Sequence, residues 1–318
     1  MTYLLLILGF ALLIKGADYF VEGASKIAQG LQVSPLLIGL TIVAFGTSSP
    51  EATVSIVAAF ENNAGVAIGN VVGSNIFNIT FVVGLTALLN PLSVEDETIR
   101  KEIPFTLLAS AVLLVLINDV LLQGMSENLI TRSDGLIFLL FFAIFLYYIF
   151  EVARHNREKG KRASALPMEI SWGKNIVFTL GGLAAIIFGG DLVVSSATEL
   201  AISFGMSETL VGLTIVAVGT SLPELITSIT AAIKKQSEIA LGNIVGSNIF
   251  NILFVLGAAS VISPLAVDSK IYVDVILMIV LTSVLLIFSR TYYKVGKYEG
   301  MILAVAYVIY MAYILMRN

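Results

Sequence analysis

The sequence has no cysteine and a single histidine, and only 13% of its 318 residues are charged. Without cysteine the chain can form no disulfide, thiolate metal site, iron–sulfur cluster or thiol nucleophile. The one histidine, His155, lies in a basic stretch, so histidine-based catalysis lacks its usual partners. We therefore predict that the chain is not an enzyme and needs no cofactor. The basic residues are segregated by loop instead of forming one patch, so we expect no binding of nucleic acid.

Hydrophobic residues, in contrast, make up 58% of the chain, and the mean hydropathy is +0.96. Soluble domains contain only about 45–50% apolar residues. The apolar residues occur in blocks of about 20, the length that a helix needs to cross a bilayer. The sequence predicts an all-α integral membrane protein, embedded in lipid, with ten transmembrane helices. The predicted spans lie near residues 3–28, 36–60, 64–90, 104–123, 134–153, 175–202, 209–233, 239–263, 271–290 and 298–316.

Two motifs of the first half return in the second half at a constant offset of 173 residues. Residues 39–51 match 212–224 at 11 of 13 positions, and residues 69–79 match 242–252 at 10 of 11. Each copy holds five predicted spans, and because five is odd, the second copy must cross the membrane in the opposite direction. The predicted units are a first five-helix repeat at 1–153, a linker at 154–173 and an inverted second repeat at 174–318.

Lysine and arginine are distributed unevenly between the predicted loops. Fourteen lie on one side and three on the other, with Lys15 inside the first span. Cytosolic loops of membrane proteins carry the excess of basic residues. We therefore expect the protein to lie in the cell membrane, with the linker in the cytosol and both the N-terminus and the C-terminus on the outer side.

Two carboxylates, Glu51 and Glu224, lie deep within predicted spans, where each costs roughly 2.5–3.5 kcal/mol if it faces lipid. Each ends a Gly-Thr-Ser-x-Pro-Glu motif, and a proline inside a helix removes an N–H and leaves carbonyl oxygens without partners. Hydroxyl and amide groups fall on the same helical faces. These oxygen-bearing candidates are Thr47, Ser48, Ser55, Ser74 and Asn78 in the first repeat and Thr220, Ser221, Ser228, Ser247 and Asn251 in the second.

This set of groups suits a hard cation. Ca²⁺ prefers about 6–8 oxygen ligands. Two carboxylates are neutralised by one Ca²⁺ or by two Na⁺, so occupancy by one ion is expected to exclude the other, which is the basis of antiport. Like charges repel in a low dielectric, so the empty site is expected to take up H⁺, which then competes with the metal.

Other interpretations are open at this point. Ser48 and Ser221, each three residues before a glutamate, also fit a capping box at the start of a helix. A cation channel could use the same carboxylates in an oxygen-lined pore. A membrane scaffold that transports nothing is a further alternative.

Further polar residues lie close to the motifs or within the first span. Asn75 and Asn248 are expected to form structural hydrogen bonds between helices. Lys15 and Asp18 are three residues apart and could pair on one helical face. The second repeat has Phe188 where Lys15 stands in the first, which favours a structural or gating role for this pair.

The two motif pairs resemble the α-repeats of the calcium/cation antiporter superfamily, specifically its prokaryotic sodium/calcium exchanger branch. The resemblance covers nearly the whole chain. It implies ten helices, an ion cluster at mid-membrane, and alternating access that exchanges Na⁺ for Ca²⁺ and expels Ca²⁺. It also implies that Glu51 and Glu224, with the backbone oxygens of Thr47 and Thr220, bind Ca²⁺. The residues that it assigns to Na⁺ are Ala44, Ser48, Ser74, Ala217, Ser221 and Ser247 with the threonine hydroxyls, and Asn78 and Asn251 complete the central ring.

Other members of this superfamily provide the remaining alternatives. Proton/calcium exchangers usually carry a Gly-Asn-Ala-x-Glu type motif, which this chain lacks at both places. Potassium-dependent members typically have Asp where Asn251 stands. The resemblance therefore favours Na⁺/Ca²⁺ exchange over H⁺/Ca²⁺ exchange or K⁺-dependent Na⁺/Ca²⁺ exchange. The sequence does not indicate an oligomeric state.

Overall fold

The computed structural model describes residues 2–162, 171–205 and 217–317. Part of the predicted linker and the start of the predicted span at 209–233 lie outside the described residues. The helices are α1 (Thr2–Leu31), α2 (Pro35–Thr47), α3 (Ser49–Phe60), α4 (Ala64–Leu89), α5 (Ile103–Leu116), α6 (Asp119–Gln123), α7 (Arg132–Arg162), α8 (Trp172–Ser203), α9 (Leu222–Ile233), α10 (Ser237–Ile262), α11 (Ser269–Arg290) and α12 (Lys297–Arg317).

Most of these helices are long and apolar enough to cross a bilayer. Among the described residues there are seven such helices, or eight when α2 and α3, which meet at a bend of 49°, count as one broken span. Large hydrophobic side chains cover their exposed faces, as lipid contact requires. The predicted all-α integral membrane fold is confirmed. The shorter apolar helices α5 and α9 have 14 and 12 residues.

One predicted span differs from the structure. The sequence predicts a continuous helix over 104–123, but α5 ends at Leu116 and α6 begins only at Asp119. The side-chain amide of Asn118 donates to the carbonyl of Leu114, and the carboxylate of Asp119 accepts the backbone N–H of Leu129 at 2.9 Å. These local polar bonds compete with the helical ladder and turn the chain, so the prediction is wrong beyond residue 116.

Helices α1 and α8 pack against each other along their length and run antiparallel. Their backbones approach closely at glycine. A Cβ atom on Gly16 would lie 2.9 Å from the carbonyl oxygen of Gly182, and a Cβ on Gly182 would lie 2.7 Å from that of Gly16. Only glycine leaves room for so close a contact between the two backbones. We therefore treat α1 and α8 as one packed unit.

The centre of the molecule is formed by α4 and α10, which are buried along most of their length, whereas α7 and α12 are mostly exposed. Each central helix contains a π-helical turn, at Asn78–Val82 in α4 and at Phe250–Val255 in α10. Such turns are frequent at functional sites because they change the direction of side chains along the helix. Here each turn contains one of the predicted asparagines, Asn78 or Asn251.

Short strand pairs connect the two halves near the helix ends. Strand β1 (Leu92–Ser93) pairs antiparallel with β4 (Lys294–Val295), and β2 (Leu129–Ile130) pairs antiparallel with β3 (Leu265–Ala266). Each pair joins a strand of the first half to a strand of the second half. Both halves are therefore connected around the central helices.

Candidate ion-binding site

The two glutamates lie immediately after helix breaks. Ser48 has φ −82° and ψ 7°, and Ser221 has φ −91° and ψ 8°, so neither continues the helix before it. Proline is the second residue of the helix that follows each break, where its missing N–H is tolerated. Glu51 and Glu224 therefore fall in the first turn of α3 and α9, and both are fully buried.

The serines of the two breaks bond across the halves. The hydroxyl of Ser48 donates to Glu224 Oε1 at 2.7 Å, and the hydroxyl of Ser221 donates to Glu51 Oε1 at 2.8 Å. Each carboxylate therefore reaches the helix break of the other repeat. Neither serine makes a side-chain capping hydrogen bond to its own helix, so the capping-box interpretation is wrong.

A further asparagine in each repeat supports the helix that carries the glutamate. The amide nitrogen of Asn70 donates to the Glu51 carbonyl at 3.1 Å and to Ser55 Oγ at 2.9 Å. Asn243 makes the same two bonds in the second repeat, at 3.3 and 2.9 Å. Neither residue is among the candidates predicted from the sequence. They could have been found from the repeat, because both lie in the second motif and keep the 173-residue offset.

A second set of asparagines interlocks α4 and α10. Asn78 donates through Nδ2 to Asn248 Oδ1, and Asn251 donates through Nδ2 to Asn75 Oδ1, both at 3.3 Å. Asn75 Nδ2 also donates to the Asn248 carbonyl at 3.3 Å. The prediction that Asn75 and Asn248 form structural hydrogen bonds is confirmed. Because their nitrogens are engaged, Asn78 and Asn251 keep their Oδ1 atoms for another partner.

Several buried oxygens of this region have no hydrogen-bond partner among the described residues. Leaving a buried polar atom without a partner costs about 1–3 kcal/mol, more for a charged group, so a group of them points to a missing partner. The six that belong to predicted site residues are Glu51 Oε2, Glu224 Oε2, Asn78 Oδ1, Asn251 Oδ1, Ser247 Oγ and Thr220 Oγ1. All are oxygens and two belong to carboxylates, which is a donor set that suits a hard cation.

Three further predicted site residues, Ser74, Thr47 and Ala44, are buried nearby and already bonded. Ser74 Oγ lies 3.1 Å from Ser221 Oγ, and the hydroxyl of Thr47 donates to Asn243 Oδ1 at 2.9 Å. The Ala44 carbonyl accepts the N–H of Ser48 at 3.0 Å. Ala217 begins a short helical turn, Ala217–Gly219, and its side chain lies outside the described part of the chain.

Acidic clustering alone would not reveal this site. In the described ranges no three His, Cys, Asp or Glu side chains gather as a metal site. The region instead surrounds two carboxylates with neutral amide and hydroxyl oxygens. The structure also corrects one predicted ion pair, because Asp18 bonds to Lys234 Nζ of the second repeat at 2.7 Å rather than to Lys15.

Comparisons with known proteins show which family the chain resembles. The family model described as "Sodium/calcium exchanger protein" matches residues 1–151 and 174–316. CaxA from Alkalimonas amylolytica is 40% identical over 313 residues, which cover 96% of this chain and 95% of that protein. The sodium/calcium exchanger MaX1 from Methanosarcina acetivorans is 35% identical over 341 residues and covers 98% and 97% of the two chains. A solved structure of the sodium-calcium exchanger NCX_Mj superposes with a TM-score of 0.83 at 30% identity, covering 98% of both chains.

The interlocked asparagines generate a prediction. Asn75→Ala should weaken Ca²⁺ binding about fivefold, because loss of a hydrogen bond worth about 1 kcal/mol lets the Asn251 amide turn its NH₂ group toward the site. Calorimetric titration of detergent-purified protein measures the affinity. Asn175→Ala, which changes a buried asparagine of α8, is the matched control and should leave the affinity unchanged. Equal affinities in the two variants would contradict this role.

Proposed function

This chain belongs to the sodium/calcium exchanger family and is a multi-pass Na⁺/Ca²⁺ antiporter of the cell membrane, and we propose that the two ions compete at its buried oxygen cluster. The observation that carries this proposal is the set of six buried oxygens without partners, of which two belong to Glu51 and Glu224. A bound cation would satisfy these oxygens and neutralise both carboxylates.

Ca²⁺ is assigned to the centre of the cluster. It takes about 6–8 oxygens at about 2.3–2.6 Å and tolerates irregular geometry. Glu51 and Glu224 supply its charge balance, and the backbone oxygens of Thr47 and Thr220 add neutral ligands. The Oδ1 atoms of Asn78 and Asn251 complete the ring. The interlocked amides support this assignment, because they leave oxygen rather than nitrogen available.

Na⁺ is assigned to positions around the same carboxylates. Two Na⁺ carry the charge of one Ca²⁺ and need the same two glutamates. One Ca²⁺ and two Na⁺ therefore cannot occupy the site at the same time. The crossed bonds from Ser48 and Ser221 to the glutamates support the proposal that Na⁺ and Ca²⁺ share these carboxylates, since both hydroxyls already contact a carboxylate oxygen. The further groups proposed for Na⁺ are the Ala44 and Ala217 carbonyls and the hydroxyls of Thr47, Thr220, Ser74 and Ser247.

The surrounding fold is proposed to work by alternating access. In this proposal ten spans form two inverted repeats, at 1–153 and 174–318 with the linker at 154–173, and the site lies between the halves. The excess of lysine and arginine at one end assigns that end to the cytosol and both termini to the outside. The close α1–α8 contact supports a single sliding unit that opens one end at a time. Inward Na⁺ flow then drives Ca²⁺ out of the cell.

Neutralising the carboxylates tests the site. Glu51→Gln and Glu224→Gln should each lower Na⁺-driven Ca²⁺ uptake into proteoliposomes by about 10²-fold or more, because Ca²⁺ loses one of its two charged ligands, and a 10²-fold loss corresponds to about 2.7 kcal/mol. Glu127→Gln makes the same chemical change at an exposed carboxylate and should leave uptake unchanged.

The same assay separates the mechanisms. An antiporter shows Ca²⁺ uptake only against an opposed Na⁺ gradient, whereas a channel passes Ca²⁺ without exchange. Uptake that stops when the pH gradient is collapsed, despite a maintained Na⁺ gradient, would contradict sodium coupling. Wild-type activity in both glutamine variants would contradict the proposed site.

We also propose that H⁺ competes with both ions. A proton on either glutamate removes the charge that balances Ca²⁺, so the apparent Ca²⁺ affinity should weaken at least several-fold between about pH 7.5 and about pH 5.5. Calorimetry at constant ionic strength measures this dependence. An affinity that is the same at both pH values would contradict proton competition while leaving the Na⁺ competition intact.

A further inference from the structure

An ion pair joins two helices on the basic side of the site. Lys234 Nζ lies 2.7 Å from Asp18 Oδ1 and also donates to the Asp18 carbonyl at 2.7 Å. Asp18 lies in the middle of the apolar helix α1, and Lys234 follows the last residue of α9. The two side chains are 42% and 28% exposed, so water screens the pair only in part. It therefore fastens the α1–α8 unit to the helix that carries Glu224.

Lys234 of this pair also lines a polar cavity. A cavity of about 330 Å³ runs along α1 from Val21 to Gln29 and is also lined by Lys234 and Gln236. Asp18 is one helical turn further along α1 in the direction of the site. Lys234 therefore both lines this cavity and bonds to Asp18 at its deeper side.

The inverted repeat gives this pair a counterpart of different charge. The 173-residue offset relates Asp18 to Asp191 on α8 and Lys234 to Glu61, which follows α3. The same offset relates Lys26 to Glu199. The equivalent place at the opposite end therefore has two carboxylates, where the basic end has a carboxylate and an ammonium.

The contacts between helices also differ between the two ends of the molecule. Helix α1 lies along α9, whereas α8 makes no comparable contact with α3, although all four helices belong to the described part of the chain. Asp191 and Glu61 are both exposed. Among the described residues, the helix contact that α1 makes at the basic end thus has no equivalent between α8 and α3 at the opposite end.

From this asymmetry we propose that Asp18 and Lys234 form an ion-pair lock that holds the antiporter closed at its cytosolic end, and that Asp191 and Glu61 provide no equivalent lock outside. The proposal rests on the alternating access proposed above. Sliding of the α1–α8 unit must separate Asp18 from Lys234 and bring the two outer carboxylates together. Attraction at one end and repulsion at the other both favour the outward-facing state at rest.

Accessibility of a thiol introduced into the cytosolic cavity tests the lock. The chain has no cysteine of its own, so Ser25→Cys introduces a single thiol at a residue that lines this cavity. Ser25 is only 8% exposed while α1 packs along α9, so separation of the two helices should uncover the thiol. The probe is a membrane-impermeant maleimide added to the cytosolic side of inside-out vesicles. In this background Lys234→Gln should raise the labelling rate by up to about fivefold, because it removes a partly screened ion pair, and a fivefold change corresponds to about 1 kcal/mol.

Two controls separate the pair from a general effect of charge. Lys235→Gln removes a neighbouring exposed lysine and should leave the labelling rate unchanged. The charge swap Asp18→Lys with Lys234→Asp should bring labelling back to within about twofold of the parent, since the attraction is restored. An unchanged rate in Lys234→Gln, an equal rise in Lys235→Gln, or a swap that does not restore slow labelling would each overturn the proposal.

The opposite end gives an independent gain-of-function test. In the Ser25→Cys background, Glu61→Lys creates an ammonium opposite Asp191 and should favour closure outside, which raises the labelling rate of the introduced thiol about tenfold. Adding Asp191→Asn should cancel that rise. A rate that Glu61→Lys leaves unchanged, or a rise that persists with Asp191→Asn, would contradict the proposed asymmetry.

Calcium binding distinguishes failure of the lock from failure of the proposed function. Lys234→Gln should bind Ca²⁺ in detergent, because Lys234 contributes none of the open oxygens. If Glu51→Gln also binds Ca²⁺ normally, the proposed site is wrong, whatever the labelling shows. If Lys234→Gln leaves the labelling rate unchanged while Glu51→Gln abolishes Ca²⁺ binding, the proposed site is supported and the proposed lock is wrong.

Discussion

Two carboxylates held in the interior of a membrane protein constrain everything around them. Glu51 and Glu224 are fully buried, and each keeps one oxygen without a partner among the residues that the structure describes. Two such charges close together in a low dielectric are strongly unfavourable unless a cation or protons neutralise them. In the proposed site, the helix breaks, the crossed serines and the interlocked asparagines place oxygens where a cation would provide that neutralisation.

The supporting bonds show how a membrane protein keeps such a site ordered. Asn70 and Asn243 hold the first turns of α3 and α9 through the carbonyls of the two glutamates. Asn75 and Asn248 accept hydrogen bonds from the amide nitrogens of the ring asparagines. The hydrocarbon core of a membrane offers these polar groups no other hydrogen-bond partner, so breaking one bond would leave buried polar atoms unpaired. Each bond of the network therefore helps to hold the neighbouring side chains in place. The result is a preorganised shell made mostly of neutral oxygens around two charges.

The sequence alone predicts a large part of this arrangement. The constant 173-residue offset identifies the paired motifs, and the prolines after Ser48 and Ser221 predict the helix breaks, which the structure confirms. The orientation of the asparagine amides could not be predicted, because it depends on which group of the facing helix lies within reach. The Asp18–Lys234 pair was missed for a similar reason: its partners are 216 residues apart, and local spacing favoured Lys15. The helix predicted beyond residue 116 failed because Asn118 and Asp119 bond locally instead.

The central claim is that one divalent ion sits between the glutamates of both repeats and leaves when Na⁺ replaces it. Anomalous diffraction from crystals grown with Ca²⁺, and from the same crystals transferred to high Na⁺, tests it most directly. The account predicts a single Ca²⁺ peak about 2.3–2.6 Å from carboxylate oxygens of both Glu51 and Glu224, which disappears in Na⁺. A Ca²⁺ peak that contacts neither glutamate, or one that persists in saturating Na⁺, would contradict it.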